Sequence, residues 1–281
     1  MSTVSVGGIT VGYDDEGSGD PLVLVHGHPF NRSMWRPQVE QFSRAGWRVV
    51  APDLRGYGDT TVVPGVTPLA TFAGDLAALL DHLGLDRIVL GGLSMGGQIV
   101  MEFYRLFPDR VRGLLLADTS PVAETEHGRQ ARHATADRLL AEGMGPYAEE
   151  VLPKMVAPAA VPAVVDHVLG MMRGTPPAGA AAALRGRAER PDYVATLSRA
   201  AVPALVVVGS HDAYTPVSDA QLVHDTLPKS TLVVIDGAGH LPNLERPDQF
   251  DAALASFLDT WLISGGISEP DSPIPPKNPR R

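Results

Sequence analysis

The stretch Arg87-Ile88-Val89-Leu90-Gly91-Gly92-Leu93-Ser94-Met95-Gly96-Gly97-Gln98-Ile99-Val100 decides the reading of this chain. Ile88, Val89 and Leu90 are a short apolar run closed by glycines, and Ile99, Val100, Phe103, Tyr104 and Phe107 follow. This predicts a buried strand turning sharply into an apolar-faced helix. Gly92-Leu93-Ser94-Met95-Gly96 fits the G-x-S-x-G pattern of a nucleophile elbow, where small flanking residues let the backbone turn tightly enough to lift a serine hydroxyl above a sheet. A pattern fixing three positions also arises by chance. Its weight therefore rests on the strand before it, the helix after it and partners elsewhere in the chain.

Outward from this turn, apolar runs of strand length recur. Residues 21–25 end in His26-Gly27-His28-Pro29, and residues 47–51 are closed by Pro52-Asp53-Leu54-Arg55-Gly56-Tyr57-Gly58. Residues 111–117, 203–209 and 231–235 give three more strands, and residues 4–6 and 9–13 read as an N-terminal hairpin. Between them, Met34, Trp35, Val39 and Phe42 mark one helix, and Phe72, Leu76, Leu79, Leu80 and Leu83 mark another that Gly84 stops. Pro247 opens a last helix carrying Phe250, Leu254, Phe257, Leu258 and Trp261 on one face. Strands that alternate with helices and are apolar throughout predict an α/β fold with a mostly parallel sheet covered by helices on both faces.

From Pro121 to about Arg199 alanine, proline and methionine become frequent, as at Pro153, Pro158, Pro162 and Pro176-Pro177, which predicts an inserted lid of short, proline-broken helices. The expected organisation is a core from residues 1–120 and 201–263, a helical lid (cap) over 121–200 and a flexible C-terminal tail over 264–281.

Composition narrows the function classes. A chain of 281 residues has room for a sizeable core, and a formal net charge of -9 without a basic run argues against nucleic acid as a partner. There is no cysteine, hence no disulfide, thiolate nucleophile or cysteine metal site. No leader-like N-terminus and no apolar stretch near the ~20 residues that span a bilayer is present, so the expectation is a soluble, cytoplasmic protein with no membrane association.

A serine hydroxyl is a weak nucleophile until a base takes its proton, and that base needs an acid to fix its tautomer and stabilise the imidazolium. Both partners are expected on loops after later strands, where Gly209-Ser210-His211-Asp212 and Gly237-Ala238-Gly239-His240 stand. The order Ser94, Asp212, His240 fits that expectation. His26 and His28 form no recognised metal spacing with other residues, and no metal or cofactor is expected. Asp118, at a strand end, is an alternative acid, though a cap or loop role is favoured. His211 reads as a loop residue, and Asp53 and Arg55 read as local structural hydrogen-bonding groups. His127, His133, His167, Arg129 and Arg132 read as a solvated lid face, with contact to a substrate carboxylate as the alternative. Met144, Met155, Met171, Met172, Leu139 and Leu169 read as lid core, with a substrate wall as the alternative.

With His26-Gly27-His28-Pro29, Gly92-Leu93-Ser94-Met95-Gly96-Gly97, Gly209-Ser210-His211-Asp212-Ala213-Tyr214-Thr215-Pro216 and Gly239-His240 in place, the chain resembles the α/β-hydrolase superfamily over about residues 4–261. Within it the chain is similar to small bacterial serine esterases, 3-oxoadipate enol-lactonases and cofactor-free perhydrolases, less so through the lid. The resemblance implies an oxyanion hole from the backbone N–H groups of His28 and Met95. It also implies hydrolysis of a small-molecule ester or lactone through an acyl-enzyme, with Ser94, Asp212 and His240 as triad and no cofactor. Carbon-carbon bond hydrolases and perhydrolases share that triad and remain enzymatic alternatives. A non-catalytic small-molecule receptor on the same fold is the alternative of another class.

Overall fold

The structure, a computed structural model, describes residues 2–263; the expected tail over 264–281 lies outside the described residues. Eight strands are present among the described residues: β1 (Ser2–Val6), β2 (Ile9–Glu16), β3 (Pro21–Val25), β4 (Arg48–Pro52), β5 (Ile88–Leu93), β6 (Val111–Ala117), β7 (Ala204–Gly209) and β8 (Ser230–Ile235). They form one sheet in the order β1-β2-β4-β3-β5-β6-β7-β8. The β1–β2 and β2–β4 pairs are antiparallel, and every pair from β4 onward is parallel. The sheet is thus mostly parallel, as the unbroken apolar strands predict.

Strand geometry divides each run between two cores, because successive side chains point to opposite faces. Leu22, Leu24, Leu115, Ala117, Leu205 and Val207 enter one core. Val23, Val25, Leu114, Leu116, Val206 and Val208 enter the other. Helices α1 (Arg36–Arg44), α2 (Leu69–Leu83) and α3 (Met95–Leu106) connect the first six strands. Between β6 and β7 the chain inserts α4 (Glu126–Glu142), α5 (Met144–Met155), α6 (Pro162–Gly174), α7 (Pro177–Ala188) and α8 (Val194–Leu197). The last elements are α9 (Val217–Thr226), α10 (Pro242–Glu245) and α11 (Pro247–Ile263). Val39 and Phe42 of α1 and Phe250, Leu254 and Leu258 of α11 cover the first face; α2, α3 and α9 cover the second. The aromatic rings of Trp35 and Phe250 meet at 6.0 Å.

The inserted helices are longer than the short, proline-broken ones expected: α4 runs 17 residues and α6 runs 13. The prolines initiate rather than interrupt. Pro162 and Pro177 occupy first-turn positions, where the missing N–H has no helical acceptor in any case. Pro153 alone sits inside a helix, two residues before the end of α5. Leu139, Met144, Met171 and Met172 are buried in the first core and Leu169 packs against it, in line with their reading as lid core, whereas Met155 is buried there and also lines the cavity beside Ser94 and His240.

Candidate active site

The register of the parallel strands sets Val25 beside Gly92, Leu93 beside Ala117, and Gly209 beside Ile235, so their carboxyl ends lie along one edge of the sheet. That edge is where open α/β sheets form their crevices. Between β5 and α3 the chain turns through Ser94 at φ 57°, ψ -115°, a left-handed conformation costly for a residue with a side chain. Three hydrogen bonds hold it. Its N–H donates to Ala117 O at 2.9 Å, and its carbonyl accepts from Gln98 N at 3.1 Å and Thr119 Oγ1 at 2.8 Å. The flanking glycines are a steric requirement. A Cβ on Gly92 would lie 2.4 Å from the Gly96 carbonyl, and one on Gly96 would lie 2.2 Å from Val25 O.

His240, after β8, sits on the turn before α10 and is buried; its Nδ1 lies 2.8 Å from Asp212 Oδ2. Asp212 also accepts from Thr215 Oγ1 at 2.5 Å and from the N–H groups of Tyr214 at 2.7 Å and Thr215 at 3.2 Å. Burial favours its protonation, but the imidazole of His240 and these donors outweigh burial and hold the carboxyl below its ordinary range. Asp118 does not bond to His240. Its Oδ1 accepts from Gly209 N at 2.9 Å, and its Oδ2 is buried without a hydrogen-bond partner. Burial, then the charge of Asp212, pushes the Asp118 carboxyl well above its ordinary range.

Ser94 and His240 open into one cavity of about 340 Å³, also lined by His28, Gln98, Tyr147 and Arg187. No hydrogen bond joins Ser94 Oγ to His240 among the described residues; such contacts are often long before substrate binds. Neither His28 N nor Met95 N donates to a protein acceptor among the described residues, and Met95 is the first residue of α3. The His28 ring is held neutral by burial, then by the nearby Arg187 guanidinium. His26 is structural: its Nδ1 lies 2.8 Å from Gly27 O and its Nε2 accepts from Leu54 N at 3.0 Å.

Residues 22–253 match the Alpha/beta hydrolase family. The chain belongs to that family. It is 27% identical over 261 residues to the 3-oxoadipate enol-lactonase 2 of Acinetobacter baylyi, across 91% of this chain and 96% of the relative. A thermophilic esterase from Thermogutta terrifontis, solved with malate bound, superposes with a TM-score of 0.91 at 39% identity, across 93% of this chain and 99% of the other. The enol-lactonase from Burkholderia xenovorans does so with a TM-score of 0.85 at 26% identity, across 92% and 100%. The protein is therefore an enzyme of the α/β-hydrolase family with esterase and lactonase homologues.

In this α/β-hydrolase one residue at the site departs from its sequence reading. Arg132, expected on a solvated face, is 23% exposed, lines the cavity and pairs with Glu124. His127, His133 and His167 are exposed, as expected. Asp53 pairs with Arg32 and accepts from Arg32 N at 2.8 Å, and Arg55 bonds Asp75 at 2.5 and 2.8 Å, both local structural contacts as read. His211 is exposed in its loop. Glu245 carries no signal in the sequence, although its buried carboxylate grips the His240 turn on both sides. Oε1 accepts from Gly239 N at 3.0 Å and Leu241 N at 3.3 Å, while Oε2 accepts from Ala157 N in the inserted segment at 2.7 Å. Among the described residues no helix is long and apolar enough to cross a membrane.

Proposed function

We propose that the protein is a serine hydrolase of small carboxylic esters or lactones, working through an acyl-enzyme. The observation that carries this reading is the strained Ser94 in a cavity shared with His240, whose Nδ1 lies 2.8 Å from a carboxylate kept ionised. Ser94 Oγ adds to the substrate carbonyl while His240 Nε2 takes its proton, and Asp212 holds the Nδ1–H and the positive charge that forms. The N–H groups of His28 and Met95, free of protein acceptors among the described residues, receive the oxyanion beside the positive end of α3. Collapse of the tetrahedral intermediate expels the alkoxide, which takes the proton from His240. Water, deprotonated by the same nitrogen, then adds to the acyl carbon and releases the acid and Ser94. The inserted helices over residues 121–200 act as the lid that sets what enters. The esterase and enol-lactonase homologues support ester-type bonds as the target.

The test is hydrolysis of p-nitrophenyl acetate and butyrate by the wild type and by Ser94→Ala. The expected outcome is turnover by the wild type and a loss of about 10³-fold or more in kcat for the variant. Equal activity of the two proteins would remove Ser94 from the chemistry.

A further inference from the structure

Thr175 follows α6 and is 4% exposed. Its N–H donates to Met172 O at 3.3 Å, which closes the last turn of that helix. Its Oγ1 lies 3.1 Å from Met171 O, the ordinary back-bond of a threonine to the turn before it, but lies nearer, at 2.9 Å, to Pro29 O. That second contact joins the insertion to the loop after β3, where the His28 N–H stands.

Pro29 has no N–H, so its carbonyl is its one backbone hydrogen-bonding group, and Thr175 Oγ1 is the donor that it meets among the described residues. The rest of the loop is held from the core. Phe30 N donates to Gly27 O at 3.1 Å, Gly27 N donates to Met34 Sδ at 3.4 Å, and His28 Nδ1 lies 2.8 Å from Tyr57 Oη. A Cβ on Gly27 would lie 3.0 Å from Leu93 O and 3.3 Å from Ser94 Cβ, so this loop runs along the turn that presents Ser94.

The His28 N–H donates to no protein acceptor among the described residues, so its direction is set by its neighbours in the chain. The planar peptide bond and the ring of Pro29 leave few soft dihedrals between that N–H and the Pro29 carbonyl, so a restraint on the carbonyl carries to the N–H. Water does not compete for the restraint, because Thr175 and Pro29 are both buried. An amide that receives an oxyanion acts only when aimed at the place where the charge develops, and a misplacement of ~1 Å costs about a hundredfold in rate.

We propose that Thr175 is a positioning residue of the oxyanion hole: its hydroxyl holds the Pro29 carbonyl and so keeps the His28 N–H aimed at the oxygen of the tetrahedral intermediate. The proposal rests on the serine-hydrolase reading for its chemistry, whereas the restraint on the loop is present without substrate. It makes the C-terminal end of α6 part of the catalytic support as well as part of the lid. α6 meets the same segment again at His167 Nε2, 3.4 Å from Ser33 Oγ, in an exposed contact that water can replace. His167 is therefore the control on the same helix.

The test compares Thr175→Val, which keeps the shape and removes the donor, with Thr175→Ser, which keeps the donor, and with His167→Ala. With p-nitrophenyl butyrate, Thr175→Val is expected to lose about tenfold in kcat while KM changes less than about twofold. Thr175→Ser and His167→Ala are expected to stay within about threefold of the wild-type kcat. Exchange of the Phe30 amide, followed by NMR without substrate, is expected to quicken about fivefold or more in Thr175→Val alone. A wild-type kcat in Thr175→Val, or a loss carried by KM, overturns the positioning role. So does an equal loss in Thr175→Val and Thr175→Ser, or Phe30 exchange that is unchanged in the former. A lower melting temperature with kcat unchanged assigns Thr175 to structure and overturns the role as well. Hydrolysis by Ser94→Ala at the wild-type rate would instead sink the serine mechanism, and the Phe30 exchange rates then decide by themselves whether Thr175 holds the loop.

Discussion

Glu245 couples the His240 turn to the inserted segment, and its replacement yields a graded prediction. In Glu245→Ala three buried N–H groups, those of Ala157, Gly239 and Leu241, lose their acceptor. An orphaned buried donor costs about 1–3 kcal/mol. Burial of the carboxylate itself is unfavourable, since burial, against the opposing pull of these N–H groups, raises its pKa, and removing it returns part of the loss. The net expectation is about 3–5 kcal/mol, or a melting temperature lower by roughly 6–20 °C in a domain of this size. In Glu245→Gln the amide oxygen retains the two bonds to Gly239 and Leu241, and the NH₂ faces Ala157 N, so the loss falls to about 1–3 kcal/mol. Releasing both neighbours of His240 also misplaces the imidazole, which is expected to lower kcat about 10- to 100-fold in the alanine variant. Thermal unfolding followed by circular dichroism, with ester hydrolysis measured well below the transition, checks both parts. An alanine variant that melts within 1–2 °C of the wild type, or a glutamine variant less stable than the alanine one, would refute the reasoning.

Two further perturbations test the turn and the buried acid beneath it. Gly96→Ala adds a methyl group that helix propensity favours by about 1 kcal/mol, yet its Cβ would fall 2.2 Å from Val25 O and 2.7 Å from His26 O. A net destabilisation of about 1–3 kcal/mol and a hundredfold or greater loss of esterase activity are expected; a stabilised, active variant would show that the turn relaxes freely. Asp118 is a raised-pKa group, so its favourable contribution is complete below the unfolded value of ~3.9 and is lost as pH rises through its folded value. Asp118→Asn, which stays neutral at every pH and tolerates the φ of 46°, should therefore gain stability relative to the wild type as pH rises above the ordinary carboxylate range. Melting curves across that range decide it, and a pH-independent difference would show that Asp118 does not carry the proton.

What could be read from the sequence follows the range of the physics involved. The turn at Ser94 and the loops bearing Asp212 and His240 are short local patterns after apolar strands, and the parallel sheet brings their ends together whatever lies between. The inserted helices offer no such signal. The buried residues of α7 are alanines and glycines with Leu184, Arg187 and Ala188, so hydrophobic periodicity cannot show which side faces inward. Arg132 read as solvated because its partner Glu124 lies before α4, outside the helical spacing at which ion pairs are legible. Glu245 sits in a four-residue helix and would ordinarily be exposed; only the fold places three N–H groups around it.

The same division separates the proposed chemistry from its selectivity. Ser94, Asp212, His240 and the N–H of His28 stand on turns at the carboxyl edge of the sheet, and the N–H of Met95 opens the helix after one of them, where strand pairing sets the backbone geometry. Of the charged residues lining the cavity outside that set, Glu124, Arg132, Arg187 and Arg190 come from the insertion, and Asp219 alone comes from the core. The insertion is where an unpaired charge can be tolerated only if its helix is held rigidly, because a mobile arginine would swing to water and recover its solvation. The glycine contacts at Gly179 and Gly186 supply that rigidity. Arg187, on a helix seated against core backbone and bonded through Nε to Gln98, is thereby held at the wall of the cavity that Ser94 and His240 share.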